Sequence, residues 1–418
     1  MPRPVLVAVL GALTVALDSA VNIAFPAISA AFGVPATSIQ WVVLTYMVTF
    51  AVALIPAGRL ADRVGHARTF QGGLALTGTA HLLCGLAPAW AWLLGARGAQ
   101  GLGAALVMAS APALITLSTD PGRRGQALGR FGLATSLGMV AGPLAGGVLV
   151  GALGWPAVYL GRLPLVALAL GLSRGLPGAS GLRGPVLAES GVPSRAAGAT
   201  SVPPAAGGRA AVADFRTFVV ANLANLLANA ALFAVWLLMP YYLLDRRGFP
   251  PGLGGLLFTT GPLAWSCAAP VGGRLADRGA VRGLAPLALA VQGAGLWLTG
   301  RLDDAASPAR IVTALGIGGF GYGLFVVANM HYVMGALPTA RQGVAGSLVA
   351  LMRTGGIVVG ANVTTAVYAA RLASHAALGP GAEPAAFADA FGVAGAIAAV
   401  AAVLSVVPRR ARRASSTP

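Results

Sequence analysis

The chain has 418 residues, 57% of them hydrophobic and only 9% charged, with a mean hydropathy of +0.79. Soluble domains carry about 25% charged residues, which excludes an ordinary water-solvated globule. The net charge of +17 does not point to nucleic acid, because the basic residues, all of them arginine, punctuate apolar runs and no basic stretch is interleaved with exposed aromatics.

A helix rising 1.5 Å per residue needs about 20 apolar residues to cross about 30 Å of hydrocarbon. Twelve such segments are predicted: 5–25, 38–58, 69–87, 91–118, 125–150, 156–172, 215–243, 252–271, 284–300, 309–335, 343–370 and 387–407. The first follows an early arginine, as a secretory leader would, but it runs past Asp18 to Phe25 and further spans follow, so it reads as a retained helix. The expected fold is an all-α polytopic membrane protein with twelve transmembrane helices in two pseudo-symmetric six-helix bundles. The expected domains are an N-terminal bundle (1–172), a flexible linker (173–213) rich in Pro, Gly, Ser and Ala, a C-terminal bundle (214–408) and a basic tail (409–418).

Orientation follows from the arginines. With the N-terminus inside, twenty fall on the cytoplasmic side and five outside, leaving Arg97, Arg162 and Arg353 within spans. The excess of positive charge places both termini in the cytoplasm. The core "GRLADR" occurs at 58–63 and again at 273–278, six spans apart, so the halves are related modules, as in transporters built from repeats. Cys84 and Cys267 lie in apolar runs of different halves and read as small buried hydrophobes.

A charged side chain at mid-bilayer costs roughly 2.5–3.5 kcal/mol on insertion scales, so such residues are retained for a role. Asp18 is the single carboxylate well inside a span, and Asn22 shares its helical face at i+4. A carboxylate that changes environment between two conformations carries a proton, because burial and a nearby cation move its proton affinity in opposite directions. Arg97, followed by Gln100 in "LLGARGAQGLG" (93–103), would bias Asp18 or organise a polar network; the sequence leaves open whether Arg97 and Asp18 meet. Gly138, Gly142 and Gly146 recur at every fourth position beside Pro143, a seam suited to close helix contact with a kink, and "GIGGFGYGLF" (316–325) reads as a bendable gate. Asn222, Asn225 and Asn229 form one stripe on the seventh helix, with Trp236 beyond it. Tyr46, Gln292, Asn329, Arg353 and Asn362 are further candidates for a substrate cavity. No metal-ligand spacing and no phosphate-cradling loop occurs, so no cofactor is expected and the energy source is an ion or substrate gradient.

Four motifs carry a resemblance. "GRLADRVGHAR" (58–68), "ARGAQGLGAAL" (96–106), "GMVAGPLAGG" (138–147) and "ALDSAVNIAFPAI" (16–28) resemble, in order, segments of the major facilitator superfamily, most of all its drug:proton antiporters and the branch that usually has fourteen helices. The two central helices of that branch are missing here. His66 and Ala67 stand where it tends to be basic, and Pro156 and Arg162 replace its usual residues in "GWPAVYLGRLP" (154–164). The resemblance implies proton-coupled efflux of small organic molecules from a bacterium across its inner membrane, by a monomer that handles substrate, protons and lipid and no nucleic acid. It also implies a conformational lock at Gly58, Asp62, Arg63, Gly65 and Arg68, with Asp62 docking near the start of helix 11, a helix 5 motif through Gly147, and a weaker counterpart of the lock at Asp277. A nutrient symporter on the same fold is the alternative. A membrane enzyme or sensor fits less well, since neither catalytic residues nor an output domain is recognisable.

Overall fold

The computed structural model describes residues 2–174, 208–277, 281–336 and 342–406; the side chains of 121, 208–215, 276–277, 281–282, 335–336 and 342–347 lie outside the description. Most of the expected linker, the basic tail and the carboxylate of Asp277 therefore fall outside the described residues.

The first apolar segment is not one rod. Helix α1 (Arg3–Ala16) gives way to a single 3-10 turn at Leu17–Ser19, then to α2 (Ala20–Ile23) and α3 (Phe25–Phe32). The turn falls where the apolar run meets Asp18 and Ser19, whose side chains compete for backbone hydrogen bonds. Pro26 starts α3 and Gly33, at φ +62°, ends it. Helix α4 (Gln40–Val64) continues through the expected loop, and α5 (His66–Gly85) begins one residue later. The loop thus contracts to a one-residue corner at Gly65, whose φ of +103° is open to glycine and costly for other residues.

Helices α6 (Trp90–Leu117) and α7 (Arg124–Leu153) are long and continuous. The sixth segment splits into α8 (Ala157–Leu160) and α9 (Leu163–Ser173), with Arg162 at the break before Pro164. The second half comprises α10 (Gly208–Tyr241), α11 (Pro251–Asp277), α12 (Val281–Gly300), α13 (Pro308–Ala336), α14 (Gln342–Ser374) and α15 (Ala382–Ser405). Among the described residues, nine helical stretches are long and apolar enough to cross a membrane, and α8–α9 is a shorter apolar one. Segments 69–87 and 252–271 are helical as well, within α5 and α11.

The helices pack in two groups, α1–α9 and α10–α15. Inside each group glycines let backbones approach. A Cβ on Gly103 of α6 would stand 2.6 Å from Thr77 Oγ1 and 2.8 Å from Thr77 N on α5. We expect Gly103→Ala to lower the melting temperature of the purified protein by the equivalent of about 1–3 kcal/mol, the usual cost of overpacking. The glycines of α13 behave likewise. Gly319 abuts the backbone of Gly261, Gly321 that of Gln292 and Gly323 that of Trp265. The segment 316–325, expected to act as a gate, lies within one continuous helix and packs closely on its neighbours. Cys84 is buried as expected but Cys267 is exposed on α11. In a membrane protein an apolar position need not face the core, because lipid is as apolar as the interior.

The groups meet through α7 with α11, α4 with α14, and α2 and α3 with α10. Gly147 packs on the carbonyl of Pro251, Gly255 on that of Pro143, and Thr365 Oγ1 donates to Gln40 Oε1 at 2.9 Å. These contacts lie toward the C-terminal half of α7 and the start of α4, the end of the molecule opposite Gly65.

Candidate functional site

Asp18 projects from the 3-10 turn into a cluster of donors. Arg97 Nη1 reaches Asp18 Oδ1 at 2.8 Å and Arg97 Nη2 reaches Oδ2 at 2.9 Å, a two-pronged pair. Arg162 Nη1 donates to the same Oδ1 at 2.9 Å, and Gln100 Nε2 does so at 2.8 Å. One carboxylate oxygen thus takes three donors and the other takes one. The arginines are fixed from behind: Arg97 Nε donates to the Val42 carbonyl at 2.8 Å, and Arg162 Nε to the Val158 carbonyl at 2.9 Å. Arg97 Nη1 also meets Gln100 Oε1 at 2.7 Å, and its guanidinium lies 4.6 Å from the centre of the Tyr46 ring. Arg97 is 1% exposed and Arg162 4%, whereas the Asp18 side chain retains 13%. The carboxylate side chain, which lines the cavity, is thus more accessible than either of its cationic partners.

Arg162 is one of the three intramembrane arginines, the sequence assigns it no role, and its partner lies 144 residues away. The signal was present in "GRLP", where glycine and proline break the helix and leave one arginine at the break. His81 is a second omission: fully buried, its Nε2 is 3.4 Å from Gln100 Nε2. Among the described residues, Arg162 Nη2, His81 Nδ1 and the Tyr159 hydroxyl have no hydrogen-bond partner.

Removing one partner from a buried ion pair leaves the other uncompensated, at about 3–5 kcal/mol. We expect Arg97→Gln to destabilise the protein by the lower end of that range, since Arg162 and Gln100 still hold Asp18. Arg97→Lys should cost less. Melting of the purified variants against the parent chain checks both.

Asp18 and Arg97 border a cavity of about 220 Å³ between the two helix groups, on the Gly65 side of the contacts described above. Of the expected lining residues, Asn22, Tyr46, Asn229, Trp236 and Arg353 reach it. Gln100 sits behind Asp18. The asparagine stripe divides: Asn229 accepts from the Tyr322 hydroxyl at 2.8 Å, whereas Asn225 Nδ2 donates to the Val349 carbonyl at 3.0 Å and ties α10 to α14. Asn222 Nδ2 donates within its own helix, to the Phe218 carbonyl. Gln292 is enclosed and joins α12 to α10 through the Ala228 carbonyl at 2.9 Å. Asn329 is buried away from the cavity, and Asn362 is exposed and bonds its own helix at the Val358 carbonyl. A helical period assigns a face but not the neighbour on that face. For this reason the sequence pattern groups these five polar residues with the wall, although none of them borders the cavity.

The expected lock residues lie together at the α4–α5 corner. Gly58, on α4, is half-buried, and Arg63 and Arg68 are exposed. Asp62 is 74% exposed, with His66 Nε2 at 3.8 Å. The start of α14, where the resemblance would dock Asp62, has its side chains outside the described residues. The helix 5 motif has two faces. A Cβ on Gly138 would stand 2.6 Å from Ala16 Cβ, Gly142 abuts Ser19, and a Cβ on Gly146 would be 2.6 Å from the Ala20 carbonyl. That face packs on the Asp18 turn within its own half. Pro143 and Gly147, on the other face, pack on Gly255 and Pro251 of α11.

Two groups of membrane-crossing helices around a central cavity, with a buried charge cluster on its wall, define a membrane transporter rather than an enzyme. The sequence profile of the Major Facilitator Superfamily matches residues 7–361, and the chain belongs to that family. It is 32% identical over 445 aligned residues to a puromycin resistance protein of Streptomyces alboniger, covering 92% of this chain and 85% of that one. It is also 25% identical to a riboflavin transporter of Clostridioides difficile, over 87% of each chain. The fold matches a bacterial homologue of the human lysosomal transporter Spinster in an inward-facing, unoccupied conformation, with a TM-score of 0.75, 17% identity and 97% of each chain covered.

Proposed function

We propose that this chain is a proton-coupled exporter of small organic molecules, working as a monomer by alternating access in a bacterial inner membrane. The observation that carries the reading is the Asp18 carboxylate, held by Arg97 and Arg162 on the wall of the cavity between the two helix groups. The direction is supported by the resistance relative, because a transporter confers resistance to a compound by moving it out of the cell.

On this reading both termini are cytoplasmic, as the arginine distribution implies, and the Gly65 end faces the cytoplasm. The Gly147–Pro251, Gly255–Pro143 and Gln40–Thr365 contacts then close the outer side, so the present conformation is open inward. The bundles 1–172 and 214–408 rock about these contacts, with the linker between them. The exchange of proton for substrate takes place at Asp18. Oδ2, with a single donor, takes the proton, and Arg97 Nη2 turns away from it. Neutral Asp18 loses its hold on Arg162, whose Nη2 already lacks a partner among the described residues. The tie between the Asp18 turn and the α8–α9 break then weakens, while Val42 and Gln100 keep Arg97 in place. Release of the proton restores the clamp.

The riboflavin transporter relative favours a second reading, in which a nutrient is carried inward with protons. Vesicles loaded with substrate and given a pH gradient of either sign separate the two. Export coupled to inward proton movement supports the first. Accumulation of substrate in the direction of proton flow overturns it in favour of the second.

A further inference from the structure

The cavity wall carries one carboxylate, Asp18, and two guanidiniums, Arg97 and Arg353. Arg162 lies behind Asp18, so Arg97 and Arg162 share one carboxylate while Arg353 adds a third guanidinium on the wall, a surplus of two positive charges. Asp18 is already spent on Arg97 and Arg162. Arg353 pairs with no carboxylate among the described residues. It is exposed, and it lines the cavity from α14 together with Thr354 and Ile357. An unpaired guanidinium at membrane depth is costly unless water or a counter-ion reaches it.

The wall near Arg353 is aromatic and fixed. Trp265 stands edge-on to Tyr322, with ring centres 4.9 Å apart, and the Tyr322 hydroxyl is anchored on Asn229. Trp236 lies on the same side, and methionines Met47, Met108 and Met139 border the rest of the cavity. Flat aromatic walls and adaptable thioethers suit a planar apolar body, and a free guanidinium suits an acidic group.

We propose that the cavity takes organic anions: a carboxylate or similarly acidic group on Arg353, joined to a planar ring held against Trp236 and Trp265. This rests on the reading of the cavity as the transport site and adds the charge class of what enters it. The test uses three probes on one ring system, naphthoate, its neutral amide and naphthylmethylammonium, titrated calorimetrically into the purified full-length chain. Naphthoate should bind about tenfold or more tightly than the amide, and the ammonium most weakly, as expected for a charge contact in a partly dry site. Arg353→Gln should abolish the preference for the anion while leaving amide binding unchanged, and Arg353→Lys should keep part of it. Equal or stronger binding of the amide or ammonium, or an anion preference that survives Arg353→Gln, overturns the proposal. Either result leaves the transport reading intact, because that reading is decided separately by the response of transport to a pH gradient.

Discussion

In proteoliposomes, Asp18→Asn should reduce transport driven by a pH gradient to the rate seen with no gradient, while exchange of substrate for substrate continues. Asparagine keeps an acceptor oxygen where Arg97, Arg162 and Gln100 converge on Oδ1. It removes the negative charge and offers no site for a proton. With no proton to take up or release, the two bundles still alternate around bound substrate, but the gradient has nothing to act on. Loss of the charge leaves two enclosed guanidiniums less well compensated, so the variant should also melt lower than the parent. The exchange assay separates that effect from coupling, because a misfolded chain exchanges nothing. Gradient-driven transport by Asp18→Asn at the parent rate, with exchange intact, would falsify the assignment of the proton site.

A second large effect is expected at the contact between the halves. A Cβ on Gly255 would collide with the Pro143 carbonyl and stand 3.1 Å from Gly147 Cα. Both neighbours are backbone, so no side-chain rotation relieves the clash and α7 and α11 must separate. Overpacking of about 1–3 kcal/mol, charged only to the closed state, shifts the balance between closed and open by about tenfold to a hundredfold. On the proposed reading, in which this contact closes the outer side, Gly255→Val should therefore hold that side open and slow transport by a similar factor. Accessibility reports this directly. In a chain with Cys84 and Cys267 replaced, Thr365→Cys, next to Gln40, should react faster with an impermeant maleimide when Gly255→Val is present. Gly151→Ala is the control. Its Cβ would meet Pro251 only at 3.7 Å, an ordinary contact, so it should leave labelling and transport unchanged. Unaltered labelling in Gly255→Val would show that this contact does not close the cavity.

Much of the fold was legible because the bilayer imposes a length on every span. The all-helical character and the order of the apolar helices follow from runs of about 20 apolar residues, although nine rather than twelve are long and apolar enough to cross among the described residues, and the repeated "GRLADR" points to two related halves. Within the site, Asp18 and Arg97 could be read as a pair of candidates because each is a lone charge in an apolar run. Gln100 could be read with Arg97 because it stands one helical turn away. Arg162 could not be joined to them, since its approach depends on how α8–α9 folds back beside α1. The limits of pattern are plainest on α10. Three asparagines on one stripe share a face, yet Asn229 reaches the cavity, Asn225 fastens α14, and Asn222 turns to its own backbone. The glycines of α13 have two readings for a related reason. Glycine permits bending, but among close-packed helices it more often permits contact, and only the neighbouring backbones distinguish the two.

Helix α7 has its own consequence. One side of it lies on the turn that holds Asp18, through Gly138, Gly142 and Gly146; the other side, at Pro143 and Gly147, is half of the seal against α11. A helix is about 10 Å across. On the proposed reading, the protonation site and the outer seal are thus separated by the thickness of a single strap, with glycines at its contacts on both surfaces. No relay of intervening residues is needed for one to feel the other. A shift of the turn by a fraction of an ångström meets the short side chains of Ala16 and Ser19 and the backbone of Ala20 before it reaches the strap, whose far side lies against the backbone of α11.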